Sequence, residues 1–251
     1  FKPYRGSEGG VLSVTALGEY LRCPRRFYFS QVLRIQEGML YDPPDIAPGV
    51  PMGLTGAERG SLVHHLIEKS LKGEIDLKEL ACSGRIPGVY GLTASDEAFV
   101  KRCIENFNEF KYCRGARSIY SEWPFLYNLG PGLCISGIID GLVIADEGIT
   151  IIDFKTNRRI DDGLLPSYEL QLRAYALAAG DILGCDVKKA GLLSLYEGAW
   201  YEIDVSPNAL NKYREDIVGL FDRILTSYST GEFTSGVNCQ ICGHKDKMCK
   251  Q

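Results

Sequence analysis

The sequence predicts an α/β fold with one central mixed sheet, and three observations carry that expectation. Runs 117–127, 133–144 and 148–155 are strand-like and joined by short Gly-bearing turns. Amphipathic helical stretches lie on either side of them. The 251 residues hold 45% apolar and 24% charged side chains, ordinary for one large globular domain. We therefore read 1–251 as a single domain with its core at about 60–205.

The elements follow in order. Residues 13–32, SVTALGEYLRCPRRFYFSQV, read as two short helical segments, with Ser13 or Thr15 as cap and Pro24 opening the second. Residues 38–58 are rich in Gly and Pro and read as loop. Residues 60–72 form a helix, with Leu62, Leu66 and Leu71 near a 3.6-residue period. Residues 73–94 read mostly as loop, and 96–112 as a helix with Phe99, Cys103, Phe107 and Phe110 on one side. The three strand runs turn at 130–132 and 146–148, connections too short for parallel crossovers, so they form an antiparallel meander. A helix at 167–179 stops at Gly180, and strands 188–196 and 200–205 make a hairpin around Glu197-Gly198. Ser206 caps a long helix over 207–228 that turns Leu210, Tyr213, Ile217, Leu220 and Ile224 inward. The tail, 229–251, is rich in Gly and Cys.

Bulk properties narrow the partners. The net charge of −4 gives no global basic field, so a nucleic-acid partner must be met by local clusters such as CPRRFYF and KTNRR. No run of 18 apolar residues predicts a membrane span. The opening FKPYRGSEGG has neither an initiator Met nor an apolar signal region, which predicts a segment of a longer, cytoplasmic protein. With nine cysteines and a reducing compartment, metal binding outranks disulfides.

The chemistry concentrates in GITIIDFKTN. Asp153 and Lys155, two apart in a strand, project to one face. Asp140 lies one strand earlier, where the meander can set it beside Asp153. Two neighbouring buried carboxylates repel, and a hard divalent cation, Mg²⁺ or Mn²⁺, resolves that repulsion. With Lys155 alongside, such a pair suits metal-assisted attack on a phosphodiester. Taken alone, Asp153-Phe154-Lys155 is more often an ordinary buried salt bridge, and it is Asp140 one strand earlier that shifts the balance. His64 and His65 offer an imidazole on a helix, and Gln171 and Tyr175 share a helical face at i and i+4.

The ordered set GSLVH (60–64), GIIDG (137–141), IIDFKT (151–156) and QLRAY (171–175) resembles the RecB-like branch of the PD-(D/E)XK nucleases, whose core is restriction-endonuclease-like. The resemblance implies His64, Asp140, Asp153 and the Phe154 backbone carbonyl as metal ligands. It implies Lys155 as catalytic, together with Asp140 and Asp153, and Gln171 and Tyr175 as an accessory motif. Glu122, in SEWPF, stands where members often carry an acid on the first core strand. His65 leaves the imidazole ambiguous by one helical step, and the Gly-x-x-x-His spacing from Gly60 favours His64.

Cys239, Cys242 and Cys249, in CQICGHKDKMC, have metal-binding spacing, and three thiolates want a fourth ligand. This layout, with Cys23 near the other end, resembles the iron–sulfur nucleases of the AddB and CRISPR-adaptation type. The resemblance implies a [4Fe–4S] staple joining segments 13–32 and 229–251. A Zn²⁺ site is the chemical rival, with His244 able to replace one Cys. Cys82, Cys103, Cys113, Cys134 and Cys185 read as small buried hydrophobes.

Two classes of function remain. The first is a metal-dependent deoxyribonuclease, an exonuclease on single-stranded DNA ends in DNA repair, with a helicase in cis or in trans; a stand-alone CRISPR-adaptation nuclease is its variant. The second is a non-catalytic DNA-binding scaffold. No Gly-x-x-x-x-Gly-Lys-Ser/Thr motif is present, so a helicase would lie elsewhere. Arg25, Arg26, Arg158 and Arg159 are the candidate phosphate contacts.

Overall fold

The computed structural model describes residues 10–35, 53–83, 92–110, 116–130, 132–160, 162–236 and 249. In chain order the elements are β1 (Gly10–Ser13), α1 (Val14–Arg22), α2 (Pro24–Phe27) running into a π-helical turn (Tyr28–Val32), α3 (Gly56–Leu71), α4 (Leu77–Ser83) and α5 (Ala94–Glu109). They continue as β2 (Ser118–Gly130), β3 (Leu133–Ala145), β4 (Gly148–Lys155), α6 (Leu165–Leu183), β5 (Val187–Ser194), β6 (Ala199–Ile203) and α7 (Pro207–Thr230).

Strands β2, β3 and β4 form the antiparallel meander that the short turns predict, Val143 pairing with Ile119 on one side and Thr150 on the other. Helix α6 crosses over to place β5 parallel to β4, and β6 returns as a hairpin. The sheet is therefore mixed. One edge of β3 is shared: β1 runs parallel along 133–136 and β4 antiparallel along 141–145. Between them, among the described residues, 137–140 have no strand on that edge.

The sheet is buried on both faces. Ile149 and Ile151 join Leu17, Leu172, Ala176, Ile217 and Phe221 under α1, α6 and α7. Ile152 and Phe154 join Val63, Ile67, Val100 and Ile104 under α3 and α5. That double burial is why β4 is a continuous apolar run rather than an alternating one. Each buried Ile or Leu contributes about 1.5–3 kcal/mol. Asp96, buried at the start of α5, bonds the Thr93 hydroxyl at 2.6 Å and Arg59 Nε on α3 at 2.6 Å, fixing α3 against α5. The Thr93 hydrogen bond, ahead of Arg59, holds its carboxyl well below the usual range.

Several boundaries differ from the sequence expectation. The stretch 73–94 contains α4, whose seven residues would not hold a helix alone; Leu77 and Leu80 pack under α5 and select it. Helix α3 begins at Gly56 because Thr55 and Glu58 form a capping box. Helix α6 runs through Gly180 and ends at Gly184, which has φ +62°. Gly180 serves packing: a Cβ there would sit 3.5 Å from Val187 Cγ2 and the Cys185 carbonyl. Strand β1 was not expected, although Ser13 does cap α1, accepting from Ala16 N at 3.0 Å. Cys113, Cys239, Cys242, His244 and most of the 38–58 loop lie outside the described residues. Cys82 and Cys185 are exposed, and Cys134 is half-buried; of that group Cys103 is the buried hydrophobe expected, and burial pushes its thiol up to about 12.

After α7, the chain folds back onto the α1–α2 corner. Phe233 stacks on Tyr28 with centroids 4.8 Å apart. Arg25 N donates to the Thr234 carbonyl at 3.0 Å and Arg25 Nε to the Phe233 carbonyl at 3.3 Å. Gly236 N donates to Cys23 Sγ at 3.1 Å, and a Cβ at Gly236 would lie 2.2 Å from the Arg22 carbonyl. Gly236→Ala is therefore expected to lower stability by about 1–3 kcal/mol through overpacking. Urea unfolding measures this, and wild-type stability in the variant would contradict the close approach.

Candidate active site

The site forms where β3 and β4 part. Their last rung is Gly141 with Ile152. The next rung would set Asp140 against Asp153, but there the Asp140 side chain takes the place of backbone pairing: Phe154 N donates to Asp140 Oδ2 at 2.8 Å. Burial, and then the charge of Asp153, raises the Asp140 carboxyl well above its usual range.

Asp153 is 1% exposed, and neither of its oxygens has a hydrogen-bond donor. Lys155 Nζ lies 2.5 Å from Asp153 Oδ2, a buried ion pair. It also lies 4.9 Å from the centre of the Tyr168 ring on α6. Burial alone would lower the Lys155 pKa; Asp153 and Asp140 outweigh it and hold the ammonium above the usual lysine range. A buried, hydrogen-bond-free carboxylate is costly unless a cation compensates it, and one ammonium faces several acids here.

Glu122 completes the row. It lies on β2 between the rungs Ser121–Gly141 and Trp123–Ile139, opposite Asp140, and has φ +49°. Both strands change facing across this rung. Ile119 and Val143 belong to the α3–α5 core, whereas Trp123, Phe125, Ile135 and Ile139, of the same parity, face α6. The register does not slip across this rung, so the side chains are re-aimed by backbone dihedrals such as the Glu122 φ and not by an inserted residue. A left-handed Glu costs about 1–2 kcal/mol, strain that clusters at functional sites.

From α3, His64 Nε2 lies 3.2 Å from the Phe154 carbonyl. A carbonyl only accepts, so this nitrogen carries the proton and Nδ1 presents its lone pair. Nδ1 is 3.8 Å from Glu122 Oε1 and 3.9 Å from Asp140 Oδ2. Burial lowers the His64 pKa despite Asp153 and Glu122, keeping the imidazole neutral at neutral pH. His65 faces away, 3.8 Å from Glu68 and 56% exposed. Gly60 lets α3 approach β4; a Cβ there would meet Thr156 Oγ1 at 3.0 Å. One ligand atom each from His64, Glu122 and Asp140 fall within 4.8 Å of one another, a spacing that fits a cation.

On α6, Gln171 Nε2 donates to the Tyr175 hydroxyl at 2.7 Å. Tyr175 packs on the face of β3, its Cε1 3.1 Å from where a Cβ on Gly137 would be. Burial, and then Asp153, raises its phenol pKa. The structure thus brings His64, Asp140, Asp153, Lys155, Gln171 and Tyr175 together, turns the Phe154 carbonyl toward His64, and adds Glu122 and Tyr168. The sequence signal for Tyr168 is its spacing from Gln171 and Tyr175 on one face of α6.

The four predicted phosphate-contact arginines divide. Arg25 is bound into the folded-back tail, its Nη1 donating to Cys249 Sγ at 3.6 Å. Arg26 pairs with Glu19 at 3.2 Å. Arg158 and Arg159 are exposed on the loop after β4, Arg158 5.5 Å from the Tyr196 ring centre. Cys23 caps α2, its Sγ accepting from Arg26 N at 3.4 Å.

Asp140 makes the metal-free protein pH-dependent. Its folded pKa is raised, so between the unfolded and folded values the native state binds more protons, and its contribution to stability rises as pH falls. Urea unfolding in chelator at pH 5 and pH 8 is expected to show wild type gaining on Asp140→Asn at the lower pH. A pH-independent difference would contradict the burial of this carboxyl.

The profile of the PD-(D/E)XK nuclease superfamily matches residues 11–249. The chain belongs to the PD-(D/E)XK nuclease superfamily. This PD-(D/E)XK domain is 27% identical over 190 residues to an ATP-dependent helicase/nuclease subunit of Desulforamulus reducens, covering 64% of the chain and 15% of that relative. It is 28% identical over 170 residues to the subunit of the same description from Bacillus cereus strain B4264, covering 55% of the chain and 13% of the relative. The chain thus spans under a sixth of the length of these relatives. The crystal structure of a candidate exonuclease from Eubacterium rectale superposes with a TM-score of 0.55 at 15% identity, over 96% of this chain and 90% of that one, and shares the fold. Among the described residues, no helix of the PD-(D/E)XK domain is long and apolar enough to cross a membrane.

Proposed function

We propose that this PD-(D/E)XK nuclease, a single domain over 1–251, is a Mg²⁺- or Mn²⁺-dependent deoxyribonuclease. Its substrate is single-stranded DNA, degraded from an end, in the cytoplasm, beside a helicase in cis or in trans. One observation carries the reading: His64, Glu122 and Asp140 each bring a ligand atom within 4.8 Å of one another, next to the buried carboxylate of Asp153, with one ammonium for three acids. Asp140, Asp153 and His64 through Nδ1 would hold the cation, with Glu122 joining them; the Phe154 carbonyl, expected as a further ligand, instead faces His64 Nε2 and orients that ring. When bound, a hard divalent ion supplies Lewis acidity and lowers the pKa of its water. Lys155 holds a proton and a positive charge where the phosphate would gain negative charge, and Gln171 with Tyr175 orients that edge of the site. The helicase setting is supported by the description of the relatives as helicase/nuclease subunits. The non-catalytic scaffold reading is disfavoured by the intact acids and Lys155.

A [4Fe–4S] cluster on Cys23, Cys239, Cys242 and Cys249 completes the proposal, with Zn²⁺ as the rival. Two of the four donors support it: Cys23 Sγ accepts two backbone N–H groups and Cys249 Sγ a guanidinium, contacts that suit ligating thiolates, while Cys239 and Cys242 lie outside the described residues.

The test is labelled single-stranded DNA incubated with Mn²⁺ or with chelator. Wild type should degrade it only with the cation, and Lys155→Ala should lower kcat about a hundredfold or more. Degradation in chelator, or full activity in the variant, would reject the reading.

A further inference from the structure

We propose that the cleft between α1 and α6 is the track by which a nucleic-acid strand reaches Lys155, and that Arg22 grips a backbone phosphate in it. This rests on the nuclease reading above and names the substrate-holding residue of that same site. The cleft, of about 450 Å³, is lined by Thr15, Gly18 and Arg22 from α1, by Tyr168 and Gln171 from α6, and by Lys155 of β4. Thr15, Gly18 and Arg22 follow one helical face.

Arg22 is distinguished by what it lacks. Its Nε is buried with no hydrogen-bond acceptor, and no carboxylate pairs with it among the described residues. Glu19, the acid on the same face, is already taken by Arg26 Nε at 3.2 Å, Ser30 Oγ at 2.6 Å and Gln31 Nε2 at 3.1 Å. Buried donors in folded proteins are almost always satisfied, so a half-buried arginine whose Nε lacks an acceptor points to an anionic ligand at the exposed part of its fork. Its planar fork matches phosphate oxygens, and the cleft that holds it leads to the residues proposed to cleave a phosphodiester. The base of the side chain is held firmly: the Arg22 carbonyl lies against Gly236, and the next residue, Cys23, receives Gly236 N.

The test is binding of fluorescent oligo(dT) to the full chain in chelator, by anisotropy across a series of NaCl concentrations. Arg22→Ala and Arg22→Gln, the latter keeping much of the stem, are compared with wild type and with Arg117→Ala. Arg117 is an exposed residue paired with Asp146 and outside the cleft. Both Arg22 variants should bind about tenfold more weakly at low salt and lose about 0.7 from the slope of log K against log salt, one phosphate contact on a single strand. Arg117→Ala should keep the slope. Should Arg22→Ala fail to fold, Arg22→Gln carries the measurement. An unchanged slope in a folded Arg22 variant overturns the track while cleavage by wild type leaves the nuclease reading intact. Binding without any cleavage when Mn²⁺ is supplied sinks the nuclease reading separately.

Discussion

Asp153→Asn is expected to lower phosphodiester cleavage by at least about a thousandfold, because cation-held charge stabilisation worth several kcal/mol is removed from the transition state. The same variant should fold. Asn matches the volume of Asp, and Asp140 remains to compensate Lys155. In chelator its stability is expected to fall by about 3 kcal/mol or less, because the buried Asp153–Lys155 ion pair loses one partner while Asp140 still attracts the ammonium. Added Mn²⁺ separates the two. Wild type should gain about 2.7 kcal/mol at a hundred times its Kd, and the variant almost nothing. Urea unfolding with and without cation measures this independently of activity. Equal cation stabilisation in both proteins would remove Asp153 from the metal site, whatever the cleavage assay reports.

The second large effect is expected at the cysteines. Cys23→Ser and Cys249→Ser should each yield colourless protein from a wild type that is brown and contains iron. Ligation from Cys23 to the tail closes a loop of more than 200 residues. By the loop-closure model this is worth on the order of 5 kcal/mol, or about 10–20 °C in Tm for a domain of this size. Part of the closure exists without a cluster, in the Phe233 stack and the hydrogen bonds of Arg25 and Gly236. The α1–α2 corner should therefore loosen in these variants rather than detach. A wild type that is colourless, zinc-loaded and equally stabilised would assign the site to Zn²⁺. Wild-type Tm in both variants would remove the staple.

Much of the architecture was legible in one dimension because it depends on local rules. Short Gly-bearing turns force antiparallel strands, and the meander over 118–155 follows them closely. Caps were legible at Ser13 and Ser206, which accept from the backbone as expected. Where burial outweighs propensity, the sequence misled: α4 exists because α5 covers Leu77 and Leu80, and α6 passes Gly180 because β5 lies close against it. At the site, strand periodicity placed Asp153 and Lys155 on one face, and they meet at 2.5 Å.

The sequence alone determined which groups are available: acids on successive strands, an ammonium two residues beyond one of them, an imidazole on a preceding helix, and thiols at both ends. Only the tertiary structure decided their roles in space. It turned His64 rather than His65 inward, bent β2 through a left-handed Glu122 to face Asp140, and left Asp153 without a donor. The reason is physical: which polar groups lose water, and which partners then satisfy them, depends on contacts between residues far apart in the chain, and no local pattern records those contacts.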